Sequence, residues 1–244
     1  MRSYLVLAAT VGMIAFNWLA AMGRVNGVTP DVISAKYPTV ITPAAYAFSI
    51  WSVIYVGLAA FSVFQLLPGN IERFKSVRSL YIFSCSLNCA WIYFWHADQI
   101  VICFAIIVAL AVVLFFINYQ FRIPDSLAEN WAVKGPLGLY FGWVTAASLI
   151  HFAVLLEYLD VEMSVSTSTA LGVVLSFLAA GLGLLMRTRY LNYFCPLAIA
   201  WALTAIAVKQ SGNTLVVTAA AVGVVVCLIA SLSFVMNLKS SISE

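Results

Sequence analysis

Charge is scarce in this sequence: only 9% of its 244 residues are Asp, Glu, Lys or Arg, whereas 64% are hydrophobic. Soluble domains usually carry about 25% charged residues. The chain therefore has more apolar surface than one soluble core can bury, and lipid must cover the remainder. The formal net charge of +3 is too small to indicate nucleic-acid binding, so no nucleic-acid partner is predicted.

Cysteine pairs and the common enzyme signatures are also missing. The five cysteines lie inside apolar stretches, and no two of them have the C-x-x-C spacing of redox or zinc sites. Phosphate-binding loops, zinc-protease motifs, serine-hydrolase elbows and dinucleotide fingerprints are absent from the sequence. We therefore predict buried free thiols, no bound metal and no catalytic residue of these classes.

Long apolar runs, by contrast, follow one another along the chain. A helix needs roughly 20 apolar residues to cross the hydrocarbon core. That length predicts eight spans, near residues 4–22, 43–67, 78–96, 99–121, 136–157, 167–186, 193–209 and 214–237. Pro43, Pro136 and Pro196 lie at the starts of three predicted spans. Proline costs little in a first helical turn, because the amide it replaces has no hydrogen-bond partner within the helix. The predicted fold class is all-α: a polytopic membrane bundle of about eight helices.

The basic residues are distributed unevenly between the two ends of these spans. Nine of them fall on one side of an eight-span arrangement: Arg2, Arg73, Lys75, Arg78, Arg122, Lys134, Arg187, Arg189 and Lys239. Only Arg24, Lys36 and Lys209 fall on the other. The positive-inside rule then places both termini of this multi-pass protein in the cytoplasm.

Polar side chains inside the predicted spans are few. No Asp, Glu, Lys or Arg lies in the middle of a span, which argues against ion coupling through a carboxylate relay. The deep polar residues are Asn17, Asn88 and His151, with Gln65 and Asn118 nearer the span ends. Such residues either bond a neighbouring helix or contact a ligand, and both alternatives stay open. Gly138 and Gly142 form a G-x-x-x-G pattern that favours close helix contact.

The seven tryptophans suggest a further pattern. Trp95 and Trp131 lie near span ends, as residues of the membrane interface do. Trp18, Trp51, Trp91 and Trp143 lie deeper or beside prolines. Trp51 and Tyr55 are four residues apart and share a helix face. Aromatic residues so placed serve either as packing or as a ligand cage.

Three segments carry a family resemblance. Residues 41–55 read ITPAAYAFSIWSVIY, residues 87–91 read LNCAW, and residues 139–145 read LYFGWVT. In this order, on the second, third and fifth predicted spans, they resemble the TspO family of tryptophan-rich sensory proteins, which is related to the mitochondrial translocator protein. Tyr46 replaces a motif tryptophan, Ala44 a motif proline and His151 an expected asparagine. The sterol-recognition pattern is missing, since residues 155–161 contain no Lys or Arg.

The resemblance covers residues 1–157 and implies a five-helix unit, to which residues 158–244 add a predicted three-helix extension. It also implies a tetrapyrrole pocket between the first loop and the adjoining ends of the first, second, third and fifth spans. Arg24 or Lys36 would meet the propionates of a porphyrin or haem precursor. The ligand-binding residues so implied are Trp18, Tyr46, Phe48, Trp51, Tyr55, Asn88, Trp91, Tyr140, Trp143 and His151.

The leading functional hypothesis is a membrane protein that binds a tetrapyrrole in tetrapyrrole handling or stress sensing. Alternatives are facilitated transport of porphyrin-like solutes, a structural role in a larger membrane complex, and light-dependent porphyrin breakdown involving Trp51 and Trp143. Light-dependent porphyrin breakdown is the one enzymatic hypothesis, and the sequence favours the non-enzymatic ones. No resident cofactor is predicted; lipids are expected partners, and a homodimer or a larger membrane complex stays open.

Overall fold

A computed structural model describes residues 2–242, including the side chains of residues 2–233. Over this range the chain is all-helical. The long helices are α1 (Arg2–Ala21), α2 (Ile50–Phe64), α3 (Arg78–His96), α4 (Ile100–Gln120), α5 (Gly135–Tyr158), α6 (Val165–Tyr190), α7 (Phe194–Lys209) and α8 (Thr214–Ile242). Short helices at Pro30–Lys36, Asn70–Arg73 and Leu127–Glu129, a 3-10 turn at Ala45–Ser49 and a π-helical turn at Asn130–Lys134 lie between them.

Six helical segments are long and apolar enough to cross a membrane, which supports an integral multi-pass protein. They are Arg2–Ala21, Ala45–Phe64, Ile100–Gln120, Leu127–Tyr158, Val165–Tyr190 and Thr214–Ser233. Helix α3 is not among them because it carries several polar side chains, and α7 has only 16 residues. Each predicted span coincides with a helix, but the count of eight membrane crossings is not confirmed.

Helices α1 to α5 form a closed ring. The packed neighbours around it are α1 with α2, α2 with α5, α5 with α4, α4 with α3, and α3 with α1. Each helix presents one stripe to the interior at the spacing of helical turns; in α4 the stripe is Cys103, Ile107, Leu110, Leu114 and Ile117. Side chains between the stripes face outward, where lipid can cover them.

Helices α6, α7 and α8 pack on one another, and α7 also lies along α5. Gly142 permits that approach, since a Cβ there would overlap the carbonyl oxygen of Cys195. Gly138 faces Asn192 in the same way, with its hypothetical Cβ 2.5 Å from Oδ1. The close contact expected from the G-x-x-x-G pattern is confirmed, and its partner is α7.

Two buried asparagines join the ring to α7. Asn118 donates through Nδ2 to the carbonyl oxygens of Leu114 and Leu137, at 2.9 and 3.0 Å. Its Oδ1 accepts from Nδ2 of Asn192 at 2.9 Å. Asn192 in turn accepts from the amides of Phe194 and Cys195, both at 3.0 Å, at the start of α7. Of the two alternatives that the sequence leaves open for Asn118, the structure shows the bond to a neighbouring helix.

Candidate functional site

The candidate site lies at the end of the ring that carries the first loop (residues 22–44), which we call the first-loop end. Trp91 and Trp95 of α3 stack one turn apart, with ring centroids 6.0 Å from each other. His151 of α5 packs against both, at 5.5 Å from Trp91 and 4.6 Å from Trp95. The i, i+4 spacing of the two tryptophans places them on one face of α3, towards α5.

The protonation of His151 follows from its two hydrogen bonds. Nε1 of Trp91 donates to Nε2 of His151 at 3.2 Å, and an indole N–H can only donate. Nε2 is therefore the acceptor, and Nδ1 carries the proton that reaches the carbonyl oxygen of Ala147 at 3.1 Å. In a charged imidazolium Nε2 would also carry a proton, and that N–H would face the N–H of Trp91. The site therefore holds a neutral histidine.

Aromatic rings from α5 and the start of α2 complete this layer. Trp143 lies edge-on to Phe48 at 6.3 Å and to Trp51 at 6.2 Å. A cavity of about 30 Å³ remains between Phe48, Trp91, Trp95, Trp143 and His151, and Ser34 and Pro43 of the first loop also line it. Its size is that of about one water molecule.

A polar layer lies deeper in the ring. Nδ2 of Asn17 donates to Oδ1 of Asn88 at 2.7 Å, joining α1 to α3. The hydroxyl of Tyr140 of α5 faces the amide of Asn88 and lies near Tyr55 of α2, without reaching hydrogen-bonding geometry. Nδ2 of Asn88 and the hydroxyls of Tyr55 and Tyr140 are all buried without a hydrogen-bond partner. Four helices thus direct polar groups into one apolar interior.

The first loop is held over the aromatic layer by a few polar contacts. Lys36 and Tyr37 both donate to the carboxylate of Asp98, in the turn between α3 and α4; the Tyr37 bond is 2.7 Å long. Nδ2 of Asn26 donates to the carbonyl oxygen of His96 at 2.9 Å. Nε1 of Trp95 donates to the carbonyl oxygen of Pro30 at 3.1 Å. At the end of the loop, Nε2 of Gln210 donates to the carbonyl oxygens of Thr39 and Thr42, both at 3.0 Å. The loop therefore forms a lid over the aromatic layer, attached near the α3–α4 turn and near the end of α7.

The ion pair at this rim shifts the pKa values of its members. Burial alone would raise the pKa of Asp98, but the hydrogen bonds from Lys36 and Tyr37 outweigh it and lower that pKa below its usual value. The hydrogen bond to Asp98 raises the pKa of Lys36. Burial, together with the hydrogen bond to Asp98, raises the pKa of Tyr37. At neutral pH the pair is fully charged and Tyr37 remains a donor.

Eight of the ten residues implied by the resemblance lie in the two layers. They are Phe48, Trp51, Tyr55, Asn88, Trp91, Tyr140, Trp143 and His151. Trp18 is 61% exposed on α1 and lies outside them. Tyr46 packs edge-on against Trp201 of α7 at 5.4 Å. Arg24 is exposed in the first loop, and Lys36 is engaged with Asp98.

Sequence reasoning missed two residues of this site. Trp95 was interpreted as an interface residue because it is near a span end, but it is buried and only 2% exposed. Its spacing of four from Trp91 is the signal that it shares the inward face. Asp98 lies in a two-helix turn and no local pattern marks it. Its contact with Lys36 joins residues 62 positions apart.

The described residues contain no group of three or more His, Cys, Asp or Glu side chains arranged to hold a metal ion. Cys85, Cys89 and Cys103 of α3 and α4 are free thiols. The chemistry that the two layers offer is recognition: aromatic faces for a flat apolar molecule, and amide and hydroxyl groups for its polar atoms.

Comparison with known proteins agrees with the resemblance and extends it. A family model described as TSPO-like protein matches residues 3–233, and so spans both the five-helix ring and helices α6 to α8. No curated protein and no solved structure matches the chain at a significant level. With nearly the whole length matched, this membrane-helical chain belongs to the TSPO-like protein family.

Proposed function

We propose that the protein binds a flat, largely apolar small molecule of the tetrapyrrole class between the first loop and the adjoining ends of α1, α2, α3 and α5. The observation that carries the proposal is the polar layer beneath the aromatic one. Buried polar atoms are almost always hydrogen-bonded in folded proteins, and those that are not call for an explanation. Tyr55, Asn88 and Tyr140 supply three such atoms, and Tyr140 lies close to both of the others.

A bound ligand explains these atoms because its heteroatoms would serve as their partners. The aromatic layer above them suits a flat conjugated ring, which gains offset-stacked and edge contacts with Trp91, Trp143 and Phe48. Membership of the TSPO-like family supports the same class of ligand. Asn88 offers both a donor and an acceptor, although its acceptor is already bonded to Asn17.

Binding requires the first loop to move. The cavity of about 30 Å³ is far below the roughly 300–1,000 Å³ of small-molecule pockets. The lid is the natural moving part, since polar contacts at its edges hold it: the Asp98 cluster, the bonds of Asn26 and Trp95, and the bonds of its last residues to Gln210 and Ala205. The compact arrangement is a closed state, and the ligand enters when these contacts open.

The proposal is tested by titrating the full-length protein in lipid nanodiscs with protoporphyrin IX, following tryptophan quenching. The decisive variant is Tyr140→Phe, which removes only an unpartnered hydroxyl. Its matched control is Tyr81→Phe, since Tyr81 is equally buried but its hydroxyl is bonded to Oγ1 of Thr10 at 2.8 Å. Stability of each variant is measured by thermal unfolding without ligand.

The two variants are expected to respond in opposite ways. Tyr140→Phe should leave stability unchanged or raise it, yet weaken porphyrin binding about two- to tenfold, the loss of one hydrogen bond. Tyr81→Phe should lower stability by about 1 kcal/mol and leave binding unchanged. Non-saturating quenching that neither substitution alters would mean that the porphyrin only partitions into the lipid, and the proposal would be rejected.

A further inference from the structure

A long apolar groove runs along the outside of the bundle, away from the candidate site. We call it the α4–α6 groove. Its floor is formed by α5 and the start of α7, and its walls by α4 and α6; its volume is about 480 Å³. Its lining includes Val112 and Phe115 on α4, Thr145 and Ser148 on α5, and Met186 and Tyr190 on α6.

The groove offers almost no free polar atom to an occupant. The floor hydroxyls are already bonded within α5: Thr145 donates to the carbonyl oxygen of Phe141, and Ser148 to that of Val144, both at 2.8 Å. The remaining lining is aliphatic and aromatic, together with the buried Cys195. A sugar, nucleotide or peptide backbone would lose hydrogen bonds here, whereas a hydrocarbon chain would lose none.

One end of the groove lies at the basic end of the bundle, opposite the first loop. Tyr190 closes it by packing edge-on against Phe115 at 5.2 Å and against Tyr119 at 6.0 Å. The guanidinium of Arg122 lies over the Tyr119 ring at 4.3 Å. Arg189, the neighbour of Tyr190, is exposed. Arg122 therefore lies at the end of the groove where a chain would emerge, and Arg189 is the residue before Tyr190 on α6.

These arginines carry positive charge that the acidic residues of this end do not neutralise. Asp125 and Glu129 both bind Arg73, at 2.9 Å each. Glu72 lies against Lys75 at 3.3 Å. Within residues 2–233, no carboxylate lies at ion-pair distance from Arg122 or Arg189.

Lys134 places a further positive charge beside Arg122: its ammonium group donates to the carbonyl oxygen of Arg122 at 2.8 Å. A compact anion beside Arg122 would gain charge-assisted hydrogen bonds from its guanidinium group.

We propose that the α4–α6 groove binds one acyl chain of an anionic phospholipid, with its phosphate held by Arg122 and Arg189. The apolar lining accounts for the chain, and the two arginines that lack a carboxylate partner among the described residues account for the negative headgroup; Arg122 also donates to the carbonyl oxygen of Tyr119 at 3.0 Å. Basic sites between helices are a recurrent mode of anionic lipid recognition. The predicted cytoplasmic position of this end fits, because anionic lipids concentrate in that leaflet.

A second groove on the molecule serves as an internal comparison. It lies between α2, α7 and α8, is also apolar, has a volume of about 390 Å³ and is lined by Val53, Leu139, Trp201 and Leu228 among others. Among the described residues no Arg or Lys lines either groove, so the comparison rests on the arginines beyond the end of the α4–α6 groove. If apolar shape alone retained lipid, both grooves would do so; if the arginines matter, only the α4–α6 groove should select a negative headgroup.

The experiment uses the full chain in nanodiscs that contain either a phosphatidylglycerol or a phosphatidylcholine with a photoactivatable group in one acyl chain. Crosslinked peptides are identified by mass spectrometry. The occupancy variant is Val112→Trp, which fills the α4–α6 groove; its control is Val53→Trp, which fills the second groove from a similarly exposed position (50% and 59% exposed). Arg122→Gln and Arg189→Gln test the headgroup, with Arg24→Gln at the first-loop end as their control.

We expect crosslinks on α4 and α6 to be several-fold more abundant with phosphatidylglycerol than with phosphatidylcholine. Each arginine substitution should reduce that preference about fivefold, the effect of one basic residue at a membrane surface. Val112→Trp should abolish the crosslinks, and neither control should change them. Crosslinks spread evenly over the outward-facing residues, equal labelling by both lipids, or a crosslinked peptide from a second protein chain in the groove would each overturn the proposal.

Discussion

Trp91 and His151 are joined by a hydrogen bond in which the indole donates and the imidazole accepts, at 3.2 Å, in an interior where both side chains are almost fully buried. This bond connects α3 to α5 across the candidate site. It also fixes the histidine tautomer, so His151 acts as a rigid, neutral part of the aromatic layer.

The first prediction concerns this bond. Trp91→Phe keeps most of the aromatic surface but leaves Nε2 of His151 buried without a donor, so stability should fall by about 1–3 kcal/mol. Unfolding followed by circular dichroism in detergent measures the loss. Trp18→Phe, at an exposed position, is the control and should change stability by less than about 0.5 kcal/mol. Equal effects of the two substitutions would contradict the assigned bond.

The second prediction is that closure of the first loop depends on pH only at its extremes. Asp98 has a lowered pKa, so its contribution is present above the usual carboxyl pKa and is lost as pH falls through the lowered value. Lys36 has a raised pKa, so its contribution is present below the usual lysine pKa and is lost as pH rises through the raised value. Hydrogen exchange of residues 26–40, corrected for its intrinsic pH dependence, should show constant protection between these limits.

The third prediction separates the ion pair from the turn that presents it. Asp98 has a left-handed backbone (φ 59°), which asparagine also tolerates, so Asp98→Asn removes charge without straining the turn. We expect faster hydrogen exchange in the first loop and faster porphyrin association, with the helices unaffected. Lys36→Met should act in the same direction, because Asp98 then keeps only Tyr37. If the first-loop amides of Asp98→Asn exchanged hydrogen at the wild-type rate, other contacts would have to hold the lid.

The fourth prediction tests the contact between α5 and α7. Gly142→Ala would drive a methyl group into the backbone of Cys195, which cannot rotate away, so stability should fall by about 1–3 kcal/mol. Gly181→Ala in α6 is the matched control: nothing lies within 4 Å of its added Cβ, and alanine favours the helix. Thermal unfolding of both variants gives the comparison. A control that is as unstable as Gly142→Ala would mean that helix propensity, not overlap, is being measured.

The fifth prediction concerns the asparagine pair. Asn192→Ala leaves Oδ1 of Asn118 and two amides of α7 without partners, so it should cost more than an average surface substitution, about 1–3 kcal/mol. In a double-mutant cycle with Asn118→Ala the two effects should be strongly non-additive, since the side chains share one network. Additive losses would argue that the two residues act separately.

Much of the fold was predictable because hydrophobic length is a direct physical requirement of the membrane. The span predicted at 78–96 matches α3 (Arg78–His96), and that at 193–209 nearly matches α7 (Phe194–Lys209). The number of membrane crossings was harder to predict, because α3 carries several polar side chains and α7 has only 16 residues. Helix location follows from local composition, whereas a membrane crossing also depends on neighbouring helices that cover polar or short segments.

The candidate site was partly predictable for a related reason. The motif residues on α2, α3 and α5 meet because helical periodicity places them on inward faces, as for Trp51, Tyr140 and Trp143. Asp98 has no such signal, because its contact with Lys36 depends on how the first loop folds back. Outside the site, Trp201 of α7 donates to the carbonyl oxygen of Ala47 at 3.0 Å, across 154 residues of sequence. Only tertiary structure brings such pairs together.

The shortness of α7 has a consequence for how the protein is made. Sixteen helical residues rise about 24 Å, less than the roughly 30 Å of the hydrocarbon core. In the folded molecule this matters little, because α5, α6 and α8 surround α7. During synthesis α5 and α6 precede it, but α8 emerges only afterwards. We therefore expect α7 to integrate poorly in a nascent chain that ends before Thr214 and efficiently once α8 follows, a difference that a glycosylation reporter inserted in the α7–α8 turn (residues 210–213) would record.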